Sequence, residues 1–173
     1  MELQTAVYLL AFMIPAYIAN AVPVVLGGGT KLDFGLGFPD GRRIFGDGKT
    51  VRGFLAGVFG GIAAGGILSM LYVVPFFPSA GVQFTGFALM SFGTMVGDAL
   101  GSFLKRRFGI EPGKPFILDQ LMFLVVALML VQPYVSPAVY GWDALLFLFI
   151  TTYVLHVGSN FVANRLGWKK VPW

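Results

Sequence analysis

Residues 97–119 read GDALGSFLKRRFGIEPGKPFILD, a short basic segment set between two apolar runs. The run that ends here carries Asp98, the run that begins here carries Asp119, and Lys105, Arg106, Arg107 and Lys114 lie between them. An ionised carboxylate at membrane depth is costly unless a cation or metal compensates it, so acids in such places are candidates for function. The two acids inside the apolar runs, with four bases between them, suggest a site for a metal and a phosphate.

The flanking runs are typical of the chain as a whole. Hydrophobic residues make up 57% of the 173 residues and charged residues 12%, with a mean hydropathy of +0.80. That composition lies outside the range of soluble domains and indicates an integral membrane protein. At roughly 20 residues per span the length holds several helices and one domain, residues 1–173. With no cysteine, disulfides and thiolate metal sites are excluded, and any metal must use oxygen ligands or His156.

Five apolar segments, about 3–25, 51–74, 84–104, 116–131 and 144–163, are long enough for helices and lack the alternation of barrel strands. The expected fold is therefore an all-α bundle of five transmembrane helices. The first segment begins with Glu2 and no base, and its apolar run is too long for a signal peptide, so it reads as a span. All twelve bases fall in the first loop, the third loop, the start of the second helix or the tail. The bias of Lys and Arg toward the cytoplasm then places the N-terminus outside and the C-terminus inside. The expected location is the cell membrane, with the charged end facing the cytoplasm and no nucleic-acid partner. Six of the eight acids share that face, leaving Glu2 and Asp143 outside. The topological rule accounts for the bases but not for the acids; a metal-bound polyphosphate would need both.

On the third helix Asp98, Ser102 and Lys105 are spaced i, i+4, i+7 and share a face. Asp98 lies on the order of 9 Å into the bundle at the helical rise, and Asp119 about one turn into the fourth helix, so both can reach one shallow pocket. Such a carboxylate pair suits Mg²⁺, which keeps waters and substrate phosphates as its other ligands. The blander reading is that Asp98 pairs with a base and serves packing. Upstream, Gly48-Lys49-Thr50 ends a Gly-rich loop and leads into a helix N-terminus, an arrangement suited to phosphate. It is not a nucleotide-binding P-loop, because Arg43 stands where that pattern needs glycine.

Gly53, Gly57, Gly61 and Gly65 form a four-residue repeat that lets another helix approach closely, either within the chain or in a second copy, so a homodimer is open on this reading. Trp142 is expected near the outer interface, and Trp168 and Trp173 near the inner one. His156 and Asn160, i and i+4 on the fifth helix, either line the pocket or bond a neighbouring helix, and Asn20 is equally open.

Gly97-Asp98, Ser102, Lys105-Arg106, Pro112-Gly113 and Ile117-Leu118-Asp119 resemble the signature of the membrane CTP:phosphatidate cytidylyltransferases. In that family an Asp is followed four positions on by Ser and seven on by Lys-Arg, then by Pro-Gly-His-Gly-Gly, two apolar residues and Asp-Arg-x-Asp. Gly48-Lys49-Thr50 with Gly53-Phe54 is similar to the family's Pro-Gly-Lys-Thr-x-x-Gly-Phe segment. The departures are Lys114-Pro115-Phe116 for His-Gly-Gly, and Gln120 and Met122 for the Arg and second Asp. With LDFG at 32–35, DGRR at 40–43 and the VPW ending, they resemble the archaeal branch, the CDP-archaeol synthases.

The resemblance implies an enzyme that joins CTP to an isoprenoid ether-lipid phosphate, digeranylgeranylglycerol phosphate, and releases pyrophosphate. Asp98 and Asp119 are then the expected metal ligands, Mg²⁺ the cofactor, and Ser102 a support of that shell. Lys49, Thr50, Arg52, Lys105, Arg106 and Lys114 are expected to contact phosphate, with Arg42 and Arg43 weaker candidates. Arg107, Lys169 and Lys170 are expected to be solvated or to meet lipid headgroups. The rival is a small ion or proton transporter using Asp98, which needs a polar path to both faces. A CDP-alcohol phosphotransferase would need Asp-Gly-x-x-Ala-Arg, whereas Asp40-Gly41 is followed by Arg42-Arg43-Ile44. A non-catalytic assembly protein would leave the inner charges without a use.

Overall fold

The computed structural model describes residues 1–111, 114 and 116–168. Pro112, Gly113, Pro115, Lys169, Lys170 and the Val171-Pro172-Trp173 ending, all read above, lie outside the described residues. The elements are α1 (Leu3–Leu26), α2 (Val51–Leu71), α3 (Ala80–Arg107), α4 (Ile117–Val131), two single-turn helices at Gln132–Tyr134 and Pro137–Tyr140, and α5 (Trp142–Arg165). All five α-helical segments are long and apolar enough to cross a membrane, α4 together with the turn that follows it. In a bilayer every backbone polar group must be bonded within the protein, which leaves helices or closed barrels, and segments of this length satisfy it as helices.

The ends differ from hydropathy alone for local reasons. α2 stops at Leu71, short of the expected 74, because Tyr72 turns extended and the buried Gln83 side chain takes over the backbone hydrogen bonding. Its Oε1 accepts from Val74 N at 2.7 Å and its Nε2 donates to the Tyr72 carbonyl at 2.8 Å. α3 is longer than the expected 84–104 at both ends. Ser79 caps its start by accepting from Val82 N at 3.4 Å, and Lys105, Arg106 and Arg107 occupy its last turn, where cations favour the helix C-terminus.

α3 is the central helix, packed along α4 on one side and α2 on another, while α1 lies against both α2 and α3. The glycine repeat of α2 is spent inside the chain. A methyl built on Gly57 would stand 2.7 Å from the Ala19 carbonyl oxygen, and one on Gly61 2.8 Å from the Pro15 carbonyl oxygen and 2.5 Å from Ser91 Oγ. The face that admitted a second copy is therefore filled by α1 and α3. α5 is peripheral, touching α1 and α4, and Tyr17 Oη to Thr152 Oγ1 at 2.9 Å links it to α1. The apolar core, including Leu9, Phe12, Phe77, Phe87, Val131 and Val139, fills the half of the bundle where α1 and α3 begin and α4 ends. The described charged residues other than Glu2 and Asp143 collect at the opposite end.

Candidate active site

The site begins with how closely α3 and α4 approach. Gly93, Gly97 and Gly101 face α4: a methyl on Gly97 would lie 2.5 Å from the Met122 carbonyl oxygen and 2.6 Å from Phe123 Cα, and one on Gly101 3.0 Å from Asp119 Cα. Asp119, in the first turn of α4, is thereby set against the last turns of α3. Ser102 Oγ donates to its Oδ1 at 3.3 Å and Lys105 Nζ to its Oδ2 at 2.9 Å. Lys105 is buried, so it approaches Asp119 as a largely desolvated cation.

The second half of the site comes from the loop at 27–50. Its regular structure is two isolated antiparallel bridges, Lys31 with Thr50 and Gly37 with Arg43. Asp33 organises it from the inside: its carboxylate accepts from Phe45 N at 3.0 Å, Gly46 N at 3.1 Å and Gly35 N at 3.1 Å, and pairs with Arg43. Burial alone would raise the Asp33 pKa, but the Arg43 guanidinium and these N–H groups hold it well below the usual carboxylate range. Thr50 caps α2, its Oγ1 accepting from Gly53 N and Gly28 N, both at 3.1 Å.

Lys49, next to that cap, reaches across to α3 and donates to Asp98 Oδ2 at 2.6 Å. Burial disfavours its charge, yet the carboxylates of Asp98 and Asp119 outweigh it and raise the Lys49 pKa. Arg106 acts on Lys49 in the opposite sense, as a like charge. One ammonium thus senses both acids and a guanidinium, which puts Asp98, Asp119, Lys49, Lys105 and Arg106 in one electrostatic neighbourhood. A cavity of about 190 Å³ opens beside it, lined by Gly27, Gly28, Gly48, Lys49, Thr50 and Asp98 among others.

The remaining expected residues are distributed less evenly. Asp98 pairs with Lys49 rather than with its own-face neighbour Lys105, which goes to Asp119. Arg106 donates to the Ile110 carbonyl at 2.9 Å and lies against Gly46; like exposed Arg52, it has no carboxylate partner among the described residues. Lys114 is exposed and pairs with Glu111 at 3.0 Å. Arg42 and Arg43 are engaged elsewhere: Arg42 donates to the carbonyls of Arg106 and Arg107 at 3.2 and 2.9 Å, and Arg43 pairs with Asp33 and Asp47. Their chemistry is that of loop structure. Arg107, expected in solvent, is instead bonded to Asp40 at 2.7 Å. Asn20 Nδ2 lies 3.4 Å from His156 Nδ1, tying α1 to α5.

The donor set can be tested against a divalent metal. Among the described residues no group of three or more His, Asp or Glu is placed to hold one. Two carboxylates from adjacent helices nonetheless match Mg²⁺, which commonly takes one or two protein carboxylates and completes its shell with water and phosphate oxygens. Asp98 and Asp119 could therefore supply part of such a shell, the rest coming from groups outside the chain.

Sequence reasoning gave Asp33 and the second glycine stripe no role, and it assigned Arg107 to solvent or lipid headgroups rather than to Asp40. The spacing of Gly93, Gly97 and Gly101 repeats that of α2 and was available as a signal. Asp33 and Arg107 had none, since their roles depend on partners distant in the chain.

The comparisons with known proteins agree with one another. A family model described as CarS-like, CDP-archaeol synthase, matches residues 2–173. The CDP-archaeol synthase of Pyrococcus furiosus is 44% identical over 164 residues, covering 94% of this chain and 95% of that one. That of Thermococcus onnurineus is 42% identical over 175 residues and covers both chains completely. A solved structure, described as an intramembrane enzyme for archaeal membrane lipids biosynthesis, superposes with a TM-score of 0.72 at 39% identity, covering 87% of this chain and 91% of its own. The chain belongs to the CDP-archaeol synthase family.

Proposed function

We propose that this chain transfers the cytidylyl group of CTP to an isoprenoid ether-lipid phosphate, digeranylgeranylglycerol phosphate, at the cytoplasmic face of the membrane. A lipid phosphate oxygen forms a bond to the α-phosphorus of CTP, the α–β bridging bond breaks, and pyrophosphate leaves with the electron pair. The observation that carries the reading is the convergence of the Lys49–Asp98 and Lys105–Asp119 pairs, with Arg106, at one end of an otherwise apolar bundle. An ion pathway has no comparable support, because the opposite half is filled by buried apolar side chains.

The attacking phosphate, with a second pKa near 6, is already largely dianionic near neutral pH, so no strong general base is needed. The chain's task is to neutralise the triphosphate and hold attacking and leaving oxygens in line. Asp98 and Asp119 would hold Mg²⁺, which when bound supplies charge neutralisation at the phosphates. Lys49 and Lys105, each held by a carboxylate, are placed to turn their ammonium groups to phosphate oxygens as those carboxylates acquire another partner. Arg106 and Arg52 need no such exchange.

The test is purified protein with CTP, Mg²⁺ and a panel of lipid phosphates, scored for pyrophosphate. Release with the ether-lipid phosphate and none without a lipid acceptor is expected. Absence of release with every lipid phosphate would overturn the reading.

A further inference from the structure

Lys49 reaches Asp98 from a loop of few regular elements, so something must hold that loop over α3. The attachment is concentrated at the last turn of α3, away from the Lys49–Asp98 pair. Arg107 Nη1 donates to Asp40 Oδ1 at 2.7 Å and its Nη2 to the Arg43 carbonyl at 2.6 Å. The same guanidinium lies over two rings, 4.5 Å from the centroid of Phe38 and 5.0 Å from that of Phe103, and those rings meet edge to face at 5.4 Å. Arg42 returns the contact, donating to the carbonyls of Arg106 and Arg107. These carbonyls belong to the last turn of α3, where the regular helical partners run out; that of Arg106 also accepts from Gly109 N at 3.1 Å.

A guanidinium is suited to this position, since it stacks on aromatic faces while directing several N–H groups in its plane. The clasp also connects to the chemistry by a short path. Arg107 holds the Arg43 carbonyl; the Arg43 side chain holds Asp33; Asp33 holds the N–H groups of Phe45 and Gly46. Leu32 N then donates to the Lys49 carbonyl at 2.8 Å. We infer that Arg107 is a positioning residue: it clasps the loop at 27–50 onto α3 and thereby sets Lys49 against Asp98. Resting on the cytidylyltransferase reading, this assigns CTP capture a support outside the pocket.

Two measurements on the full chain in lipid nanodiscs test it. Hydrogen exchange needs no substrate: Arg107→Gln should speed exchange across 31–50 by roughly ten-fold or more and leave the transmembrane helices protected. Unchanged exchange in that loop overturns the inference. Asp40→Ala, which removes one partner of Arg107 at the exposed edge, should act in the same direction but less, and decides the matter if Arg107→Gln does not fold. Kinetics then test the route through Lys49. Arg107→Gln should raise KM for CTP on the order of ten-fold with a smaller change in kcat. In a Lys49→Ala background the same change should add less than about two-fold, because a residue acting through another is not additive with it. Full additivity would overturn the route through Lys49. If the wild type releases no pyrophosphate, the proposed function fails, while the exchange result still decides whether Arg107 holds the loop.

Discussion

Asp98 and Asp119 sit on different helices, and each is held by a lysine from a different part of the chain. Asp98→Asn keeps the size of the side chain and leaves Lys49 an acceptor, but removes the charge. We expect the variant to fold normally, by its melting temperature in detergent, and to lose at least about 99% of turnover, as when a preorganised charge-stabilising group is removed. Near-normal turnover would reduce Asp98 to a packing role. The two lysines should separate kinetically. Lys105 is buried and held by α3 and α4, so Lys105→Ala should lower kcat by a factor on the order of 10². Lys49 comes from a loop, and Lys49→Ala should act chiefly on KM for CTP. Steady-state kinetics on both variants decide it; a pure KM effect at Lys105 would move that residue from chemistry to binding. Much of this site was legible in the sequence, because Asp98, Ser102 and Lys105 share one helix and their spacing declares a common face. Their pairing was not legible, since which lysine meets which carboxylate depends on where the loop and α4 dock.

At the scale of elements, the five spans follow from hydropathy, while their closeness depends on glycines. Gly97→Ala would set its methyl 2.5 Å from the Met122 carbonyl oxygen, so α4 must move and carry Asp119 away from Lys105. The expected cost is about 1–3 kcal/mol of stability, with a loss of activity beyond it. Gly158→Ala on α5, with nothing within 4 Å of the new methyl, should be close to neutral in thermal unfolding. A fall of equal size in both variants would argue against the packing explanation. The loop at 27–50 obeys different physics, carried by charge. The Asp33 pKa is lowered in the folded loop, so its contribution to order is present above the unfolded value of about 3.9 and is lost as pH falls through the lower folded value. The Lys49 pKa is raised, so its contribution is present below the unfolded value of about 10.4 and is lost as pH rises through the higher folded one. Exchange protection of residues 31–50 should therefore hold between roughly pH 4 and 10 and fail first outside those limits. A loss of protection near pH 6 would point to a different group. Nothing in the local sequence marks Asp33 as the organiser, because its partners are gathered only when the loop closes.

For the whole molecule, charge and topology lead to one arrangement that can be tested directly. The loop at 27–50, the end of α3 and the start of α4 meet through Lys49–Asp98, Lys105–Asp119 and Arg107–Asp40, so they lie at the same end of the bundle. The beginning of α1 lies at the other end with the end of α2, as the stacking of Tyr8 on Tyr72 at 6.3 Å shows. The connections at that far end, residues 72–79 and 132–141, contain no lysine or arginine. From the positive-inside rule we predict that the charged end faces the cytoplasm and the N-terminus the outside. The chain has no cysteine, so single cysteines report without interference. Lys31→Cys and Lys114→Cys, both exposed, should react with an impermeant maleimide only from the cytoplasmic side of oriented vesicles, and Asp143→Cys only from the other. Labelling of Lys31→Cys from outside would invert the bundle. Because the same end holds Asp98, Asp119 and both lysines, inversion would also remove the site from its nucleotide, so one labelling pattern constrains topology and function together.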